Sequence, residues 1–241
     1  MKLSINIPYW HTSEDRLNSI FYVINKVKKF KKLLDDVGIE NEFNVFDFSK
    51  EQKVPDSIHI PFKHDEFRKS EKVNHILKYN KENIKPDIFC LFDADIFFNE
   101  DSYINIINLI RNFDKNFFYV GYVYDLIFDQ NTKLDLTDNK IIGNFKENKR
   151  DVFGLGGTYF IDFNTLYDIG GYDENFITWG GEDDDLGNRL ARQRIRRKQL
   201  ECKFYHLPHS RTQVIDWGQY KKQCELIAQN VTYKPSSILS K

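Results

Sequence analysis

The feature that most constrains this chain is an apolar run that ends abruptly in acid. Residues 87–92, Asp-Ile-Phe-Cys-Leu-Phe, lead straight into Asp93-Ala94-Asp95. A strand this uniformly apolar needs cover on both faces, the environment of a central strand in a parallel sheet. Parallel neighbours must be joined by crossovers, usually helices, and the flanking sequence supplies them. Residues 3–7 alternate as a first strand, with Pro8 and Tyr9 at its end. A helix is predicted over 14–36, with Ser13 as its N-cap, Leu17, Ile20, Phe21, Ile24 and Val27 at helical spacing, and Gly38 as its stop. Strands over 42–48, 116–124, 157–161 and 201–205 alternate with helices over 66–79, 101–112, 163–169, 182–196 and 217–230, while 127–151 reads as a polar loop or small excursion. The expected fold class is α/β, a mixed, mostly parallel sheet flanked by helices. Such sheets bind ligands beyond the carboxyl ends of their strands, where Asp93 and Asp95 are expected to lie.

Length and charge narrow the classes. With 241 residues and no repeat, low-complexity tract or linker, one domain is expected. Thirty-five basic residues against 36 acidic ones give a net charge of −1, which argues against a nucleic-acid binder. No apolar run is long enough to span a bilayer, and the first seven residues enter a strand pattern without a signal-peptide core. Cys90, Cys202 and Cys224 are odd in number and unpaired in spacing, so a reduced, cytoplasmic setting is expected. Lys26 to Lys32 is basic and partly apolar. It reads as a solvated helix face, with peripheral contact to the inner membrane surface as the sharper alternative.

Three motifs carry chemistry. In Asp93-Ala94-Asp95, alternation sends both carboxylates to one side, where their repulsion invites a divalent cation with a preference for hard oxygen ligands, Mg²⁺ or Mn²⁺. Water-facing acids at a strand end are the bland alternative, but acids between apolar runs are costly without a role. The second motif is Trp179-Gly180-Gly181-Glu182-Asp183-Asp184-Asp185. An acidic helix start, with Asp185 and Arg189 paired at i, i+4, explains part of it. It does not explain four acids behind a tryptophan and two glycines, which suits stacking on a sugar ring. The third is His206-Leu207-Pro208-His209, where Pro208 forbids a helix and two imidazoles can share one ion.

In this order these pieces resemble the β-1,4-galactosyltransferase family and the related chondroitin-polymerase and polypeptide GalNAc-transferase domains. The resemblance also takes in Ile7-Pro8-Tyr9, Phe67 through Asn74, Gly156-Gly157, Gly170-Gly171-Tyr172-Asp173 and His209-Ser210-Arg211. It implies a GT-A (nucleotide-diphospho-sugar transferase) fold over 1–241, with 1–98 as the nucleotide-binding half, 99–232 as the acceptor and catalytic half and 233–241 as a tail. It further implies an inverting reaction, a UDP-sugar donor and Mn²⁺, with a saccharide or glycolipid as acceptor. On the donor side it points to Pro8, Tyr9, Phe67, Lys69, Asp93, Asp95, Gly156, Gly157 and Trp179. Asp95 and His209 match metal ligands. His206 falls where the galactosyltransferases use a methionine ligand, and its harder imidazole would shift preference toward Mg²⁺. Asp183 matches the catalytic base. Trp179 matches a mobile-loop tryptophan, and with Gly180, Glu182 and Asp184 it would hold the acceptor.

No anchor or stem is expected, unlike in the animal enzymes of that family, and this suits a bacterial-type enzyme of capsule or lipo-oligosaccharide synthesis. Gly154 stands where a bulky pocket residue is expected and would leave room for an N-acetyl group, so UDP-Gal, UDP-GalNAc and UDP-GlcNAc all remain open. Two other readings compete. A sugar-phosphate nucleotidyltransferase would carry a glycine-rich first turn, whereas Pro8-Tyr9-Trp10-His11 has none. A non-catalytic sugar- or metal-binding module would need no base.

Overall fold

The computed structural model describes residues 1–62, 68–150, 157–177, 180–210, 218, 221–222, 225 and 238–239. The chain opens with β1 (Leu3–Tyr9), α1 (Glu14–Asp36), β2 (Asn41–Asp47), a two-residue β3 (Ile58–His59) and α2 (Lys69–Tyr79), which runs into a π-helical turn over Asn80–Ile84. It continues through β4 (Ile88–Phe92), β5 (Ile96–Phe97), α3 (Tyr103–Arg111) and a long β6 (Phe117–Phe128). Three short strands follow: β7 (Lys133–Asp135), β8 (Lys140–Ile142) and β9 (Phe145–Lys149). The last described elements are β10 (Thr158–Asp162), α4 (Phe163–Asp168), α5 (Glu182–Arg192) and β11 (Arg196–His206).

Nine strands form one mixed sheet in the order β3-β2-β1-β4-β10-β6-β11-β5, with β9 added on β6. The pairings make β1, β2, β3, β4, β6 and β11 run one way, with β10, β5 and β9 opposed. Alternation along β4 explains why it reads as continuously apolar. Ile88, Cys90 and Phe92 join a core cluster with α1 and α3, while Phe89 and Leu91 join a second cluster on the other face with α2, α4 and α5. Both faces are covered, as a central strand demands. Aromatic rings fill much of the first cluster: Phe92 and Phe98 stack at 5.4 Å between centroids, and both meet Phe204, at 5.8 and 5.7 Å.

Three local expectations are corrected. Residues 127–151 are not a plain loop: β7 and β8 form a two-stranded ribbon, and β9 pairs with the end of β6. Phe145–Lys149 is exposed throughout, so it carries none of the apolar alternation that marks a buried strand. The helix begun at Glu182 stops at Arg192, after which the chain turns through a left-handed Arg194 into β11. Ser13 occupies the N-cap position of α1, but its hydroxyl donates to Asp15 and makes no cap bond. The 66–79 helix is described from Lys69 onward, and most of the 217–230 helix lies outside the described residues.

Gly121 shows how closely β6 and β11 approach. Val120 pairs with Gln199 and Tyr122 with Lys203, so β11 bulges opposite Gly121. A Cβ built on Gly121 would lie 1.9 Å from the Phe204 ring. That ring is held among Phe92 and Phe98 and has no room to retreat. Gly121→Ala is therefore expected to lower unfolding stability by about 1–3 kcal/mol, an overpacking cost, measurable by denaturant unfolding; an unchanged midpoint would contradict it.

Candidate active site

The acidic motif is a turn and not a strand continuation. The Ile96 amide donates to the Asp93 carbonyl at 3.0 Å, and the Asp93 amide donates to the Gly157 carbonyl at 2.8 Å. The Leu207 amide donates to the Asp95 carbonyl at 2.9 Å, while β5 pairs His206 with Ile96. These bonds lash the end of β4, the start of β10 and the end of β11 together. The turn also separates the two carboxylates: Asp95 faces the histidines and Asp93 faces Lys69.

Around Asp95 lies a donor set suited to a divalent cation. Ligand atoms of Asp95, His206 and His209 all fall within 4.8 Å of one another. His209 Nε2 is 3.2 Å from Asp95 Oδ2, and His206 Nε2 is 3.6 Å from Asp95 Oδ1. Burial disfavours the charged form of Asp95, but the hydrogen bond from His209 and the charges of His206 and Arg16 outweigh it and hold its carboxyl well below the usual range. Burial pushes the His206 pKa below the usual imidazole value, against the pull of Asp95. His209 is pushed up, chiefly by its bond to Asp95. Its Nδ1 faces the Ser210 carbonyl at 3.1 Å, which leaves Nε2 as the atom aimed at Asp95. One carboxylate and two imidazoles form a mixed oxygen and nitrogen set that suits a divalent metal ion, and the residues fit a metal.

Positive charge already stands beside this set. Arg16, in the first turn of α1, places Nη2 3.4 Å from Asp95 Oδ2. Its neighbour Asp15 accepts from the Ser210 amide at 2.6 Å, so α1 grips the segment that carries His209. Asp125 on β6 lies 2.9 Å from His206 Nδ1 and is itself bound by Arg150.

The second half of the site is built on Lys69. Its side chain, buried at the start of α2, places Nζ 3.0 Å from Asp183, 3.6 Å from Asp93 and 3.8 Å from Glu182. Burial disfavours the ammonium, but Asp183, Asp93 and Glu182 hold it charged, well above the ordinary lysine value. Burial raises Asp93 to about 6, opposed by Lys69 and Arg16 and assisted by Asp95 and Asp183. Burial and the nearby Asp183 raise Glu182 to about 7. The Tyr172 hydroxyl donates to Asp183 Oδ1 at 3.0 Å. Asn74 on α2 holds the Tyr172 backbone, donating to its carbonyl and accepting from its amide, both at 2.8 Å.

The acidic block divides by role. Gly180 and Gly181 take φ of 97° and 89°, a left-handed entry that glycine makes without strain, and they deliver the chain into α5. Asp185 is structural: it pairs with Arg189 at 2.8 Å, and Arg189 also reaches the Gly171 carbonyl. Asp184 faces solvent, while Glu182 is buried with Oε2 lacking a hydrogen-bond partner among the described residues. Pro8 and Tyr9 end β1, the Tyr9 ring buried and its hydroxyl 2.8 Å from His11 Nδ1. Phe67, Gly154, Gly156 and Trp179 lie outside the described residues. Sequence reasoning missed Arg16, Asp125 and Arg150. Each is a single polar residue in an ordinary helix, strand or loop context, so only its partners distant in sequence mark it.

Comparisons with known proteins agree with this architecture. Residues 144–210 match a family model described as the N-terminal domain of galactosyltransferase. The catalytic domain of Drosophila β1,4-galactosyltransferase 7, solved with xylobiose, superposes with a TM-score of 0.57 at 14% identity, covering 100% of this chain and 83% of that one. The chain shares the GT-A fold of that catalytic domain. GalNAc-T7, solved with UDP, GalNAc and Mn²⁺, gives a TM-score of 0.60 at 13% identity over 95% of this chain and 48% of that one. Residues 1–349 of S. aureus TarS give 0.63 at 14% identity over 95% and 65%. No curated protein matches the sequence significantly. Placed on this GT-A frame, the Asp95 and Lys69 clusters sit side by side at the ends of β4 and β11.

Two outcomes follow from the geometry. His209→Ala removes a direct donor, so Mn²⁺ affinity measured by calorimetry should fall by at least the roughly 10–100-fold typical of losing an outer-shell partner; unchanged affinity would remove His209 from the set. Lys69→Met strands three carboxylates and should cost about 3–5 kcal/mol of stability at neutral pH, as for breaking a buried ion pair. That loss should shrink in acid as Asp93 and Glu182 protonate, and a pH-independent loss in denaturant titrations would count against the ion cluster.

Proposed function

We propose that the protein is an inverting, metal-dependent glycosyltransferase that moves a hexose or N-acetylhexosamine from a UDP-sugar to a saccharide hydroxyl. The observation that carries this reading is the adjacency of two differently built acidic centres. One is a cation-suited set of Asp95, His206 and His209. The other is a carboxylate, Asp183, held by Lys69 and Tyr172 at the start of α5. A binding module would need the first centre but has no use for an oriented base beside it. The structural neighbours solved with UDP, GalNAc and Mn²⁺, and with manganese, UDP-Gal and xylobiose, support the same class of ligands here.

Asp95, His206 and His209 would hold the metal, whose charge, when bound, offsets that of the diphosphate. Asp183 is the base. Its carboxylate accepts the proton of the acceptor hydroxyl as that oxygen forms its bond to the anomeric carbon. The bond from that carbon to the diphosphate oxygen breaks on the opposite face, and UDP leaves with the bonding pair. Lys69 and Tyr172 orient the Asp183 carboxylate, and Glu182 and Asp184 on either side of it would help hold the acceptor. Asp93, on the far side of Lys69, is suited to donor sugar hydroxyls.

Unpaired, buried Cys90 and Cys202 favour a reduced, cytoplasmic setting. Among the described residues no helix is long and apolar enough to cross a membrane. We place the acceptor among saccharides or glycolipids of surface-polysaccharide synthesis.

Asp183→Asn should fold and bind UDP and Mn²⁺ as the parent does, yet lose about 10²–10⁴-fold in turnover, the usual worth of general-base help. Near-normal transfer by that variant would refute the base assignment. A panel of UDP-sugars assayed for Mn²⁺-dependent UDP release tests the class itself, because neither a binding module nor a nucleotidyltransferase releases UDP.

A further inference from the structure

We infer that Asp125, braced by Arg150, is a positioning residue that fixes which nitrogen of His206 faces the cation site. The inference rests on the proposed metal set of Asp95, His206 and His209 and adds two residues behind it.

The geometry begins with strand register. In the parallel pair β6 and β11, His206 lies directly opposite Asp125. Asp125 Oδ1 is 2.9 Å from His206 Nδ1, while His206 Nε2 lies 3.6 Å from Asp95 Oδ1 on the other edge of the ring. An ionised carboxylate only accepts hydrogen bonds, so the proton of a neutral ring belongs on Nδ1, toward Asp125. The lone pair is then on Nε2, directed at Asp95 and the cation site. A metal-bound histidine commonly has this arrangement, its other nitrogen donating to a carboxylate that sets both tautomer and ring angle.

Arg150 completes the device. It directly follows β9, and its amide donates to the Val123 carbonyl at 2.9 Å, which seats it on β6 two residues before Asp125. Its guanidinium binds Asp125 through Nε at 3.0 and 2.9 Å and through Nη2 at 2.6 Å. The pair is about one-third exposed on each side, and ion pairs in that setting contribute little to stability. Three bonds on one carboxylate do constrain its direction, and the direction chosen is toward His206 Nδ1.

The test is Mn²⁺ binding to the full chain by isothermal titration, without sugar nucleotide, for the parent, Asp125→Ala, Asp125→Asn, His206→Ala and the double variant Asp125→Ala/His206→Ala. Melting temperatures without metal establish that each is folded. Asp125→Ala should weaken Mn²⁺ binding about 10–100-fold, and Asp125→Asn, which keeps an acceptor for Nδ1–H, should recover part of that. In the His206→Ala background the Asp125 substitution should add nothing, because its effect passes through the ring. If Asp125→Ala fails to fold, Arg150→Gln gives a milder arm with the same required dependence on His206. Parent-like affinity in Asp125→Ala beside a weakened His206→Ala would overturn the inference alone. An equal Asp125→Ala loss with and without His206 would also overturn it, reducing Asp125 to a bare nearby charge. Parent-like affinity in His206→Ala would bring down the metal set itself, and the inference with it.

Discussion

Compensation of buried carboxylate charge governs this molecule. Asp95 and Glu182 are nearly excluded from water, Asp93 is partly buried, and Asp183 stands beside them. An uncompensated charge in such a place is expensive enough that the group would sooner take up a proton. The fold answers with two cationic centres. Lys69 serves Asp93, Glu182 and Asp183, while Arg16 and the histidines serve Asp95. Where compensation falls short the carboxyl pKa rises, to about 6 at Asp93 and about 7 at Glu182.

The sheet makes that clustering possible. β1, β4 and β11 run in the same direction, so their carboxyl ends open on one edge, and β5 turns back to pair with the end of β11. Helices then bring charge to that edge from both faces. The first turn of α1 carries Arg16 on the side of one core cluster. The first turns of α2 and α5 carry Lys69, Glu182 and Asp183 on the side of the other. Four acids at the start of α5 also gain from the helix dipole, which eases but does not replace the ion pairs.

Much of the frame was legible because burial leaves periodic traces. The central strand, the long α1 and the place of the acidic motif at the strand's end could be read from apolar runs and their ends. Where burial is absent the trace vanishes, so β9 was unreadable and α5 was overrun by four residues. Asp93-Ala94-Asp95 was read as an extended segment with both acids on one side, whereas the turn closed by Gly157 and Leu207 divides the acids between two centres. Lys69 was assigned to the nucleotide by resemblance, and its three carboxylate neighbours come from segments more than twenty residues away.

By itself, the sequence determined the α/β class, the central strand and the residue types able to bind a cation and move a proton. Those follow from local rules of period, propensity and charge. Only the tertiary structure decided how the groups are partnered: Asp185 with Arg189, Asp183 with Lys69 and Tyr172, His206 with Asp125 and Arg150. The reason is range. A helical or strand period reports on neighbours within a few residues, whereas a hydrogen bond between β6 and β11 depends on sheet order and register, which no local pattern encodes.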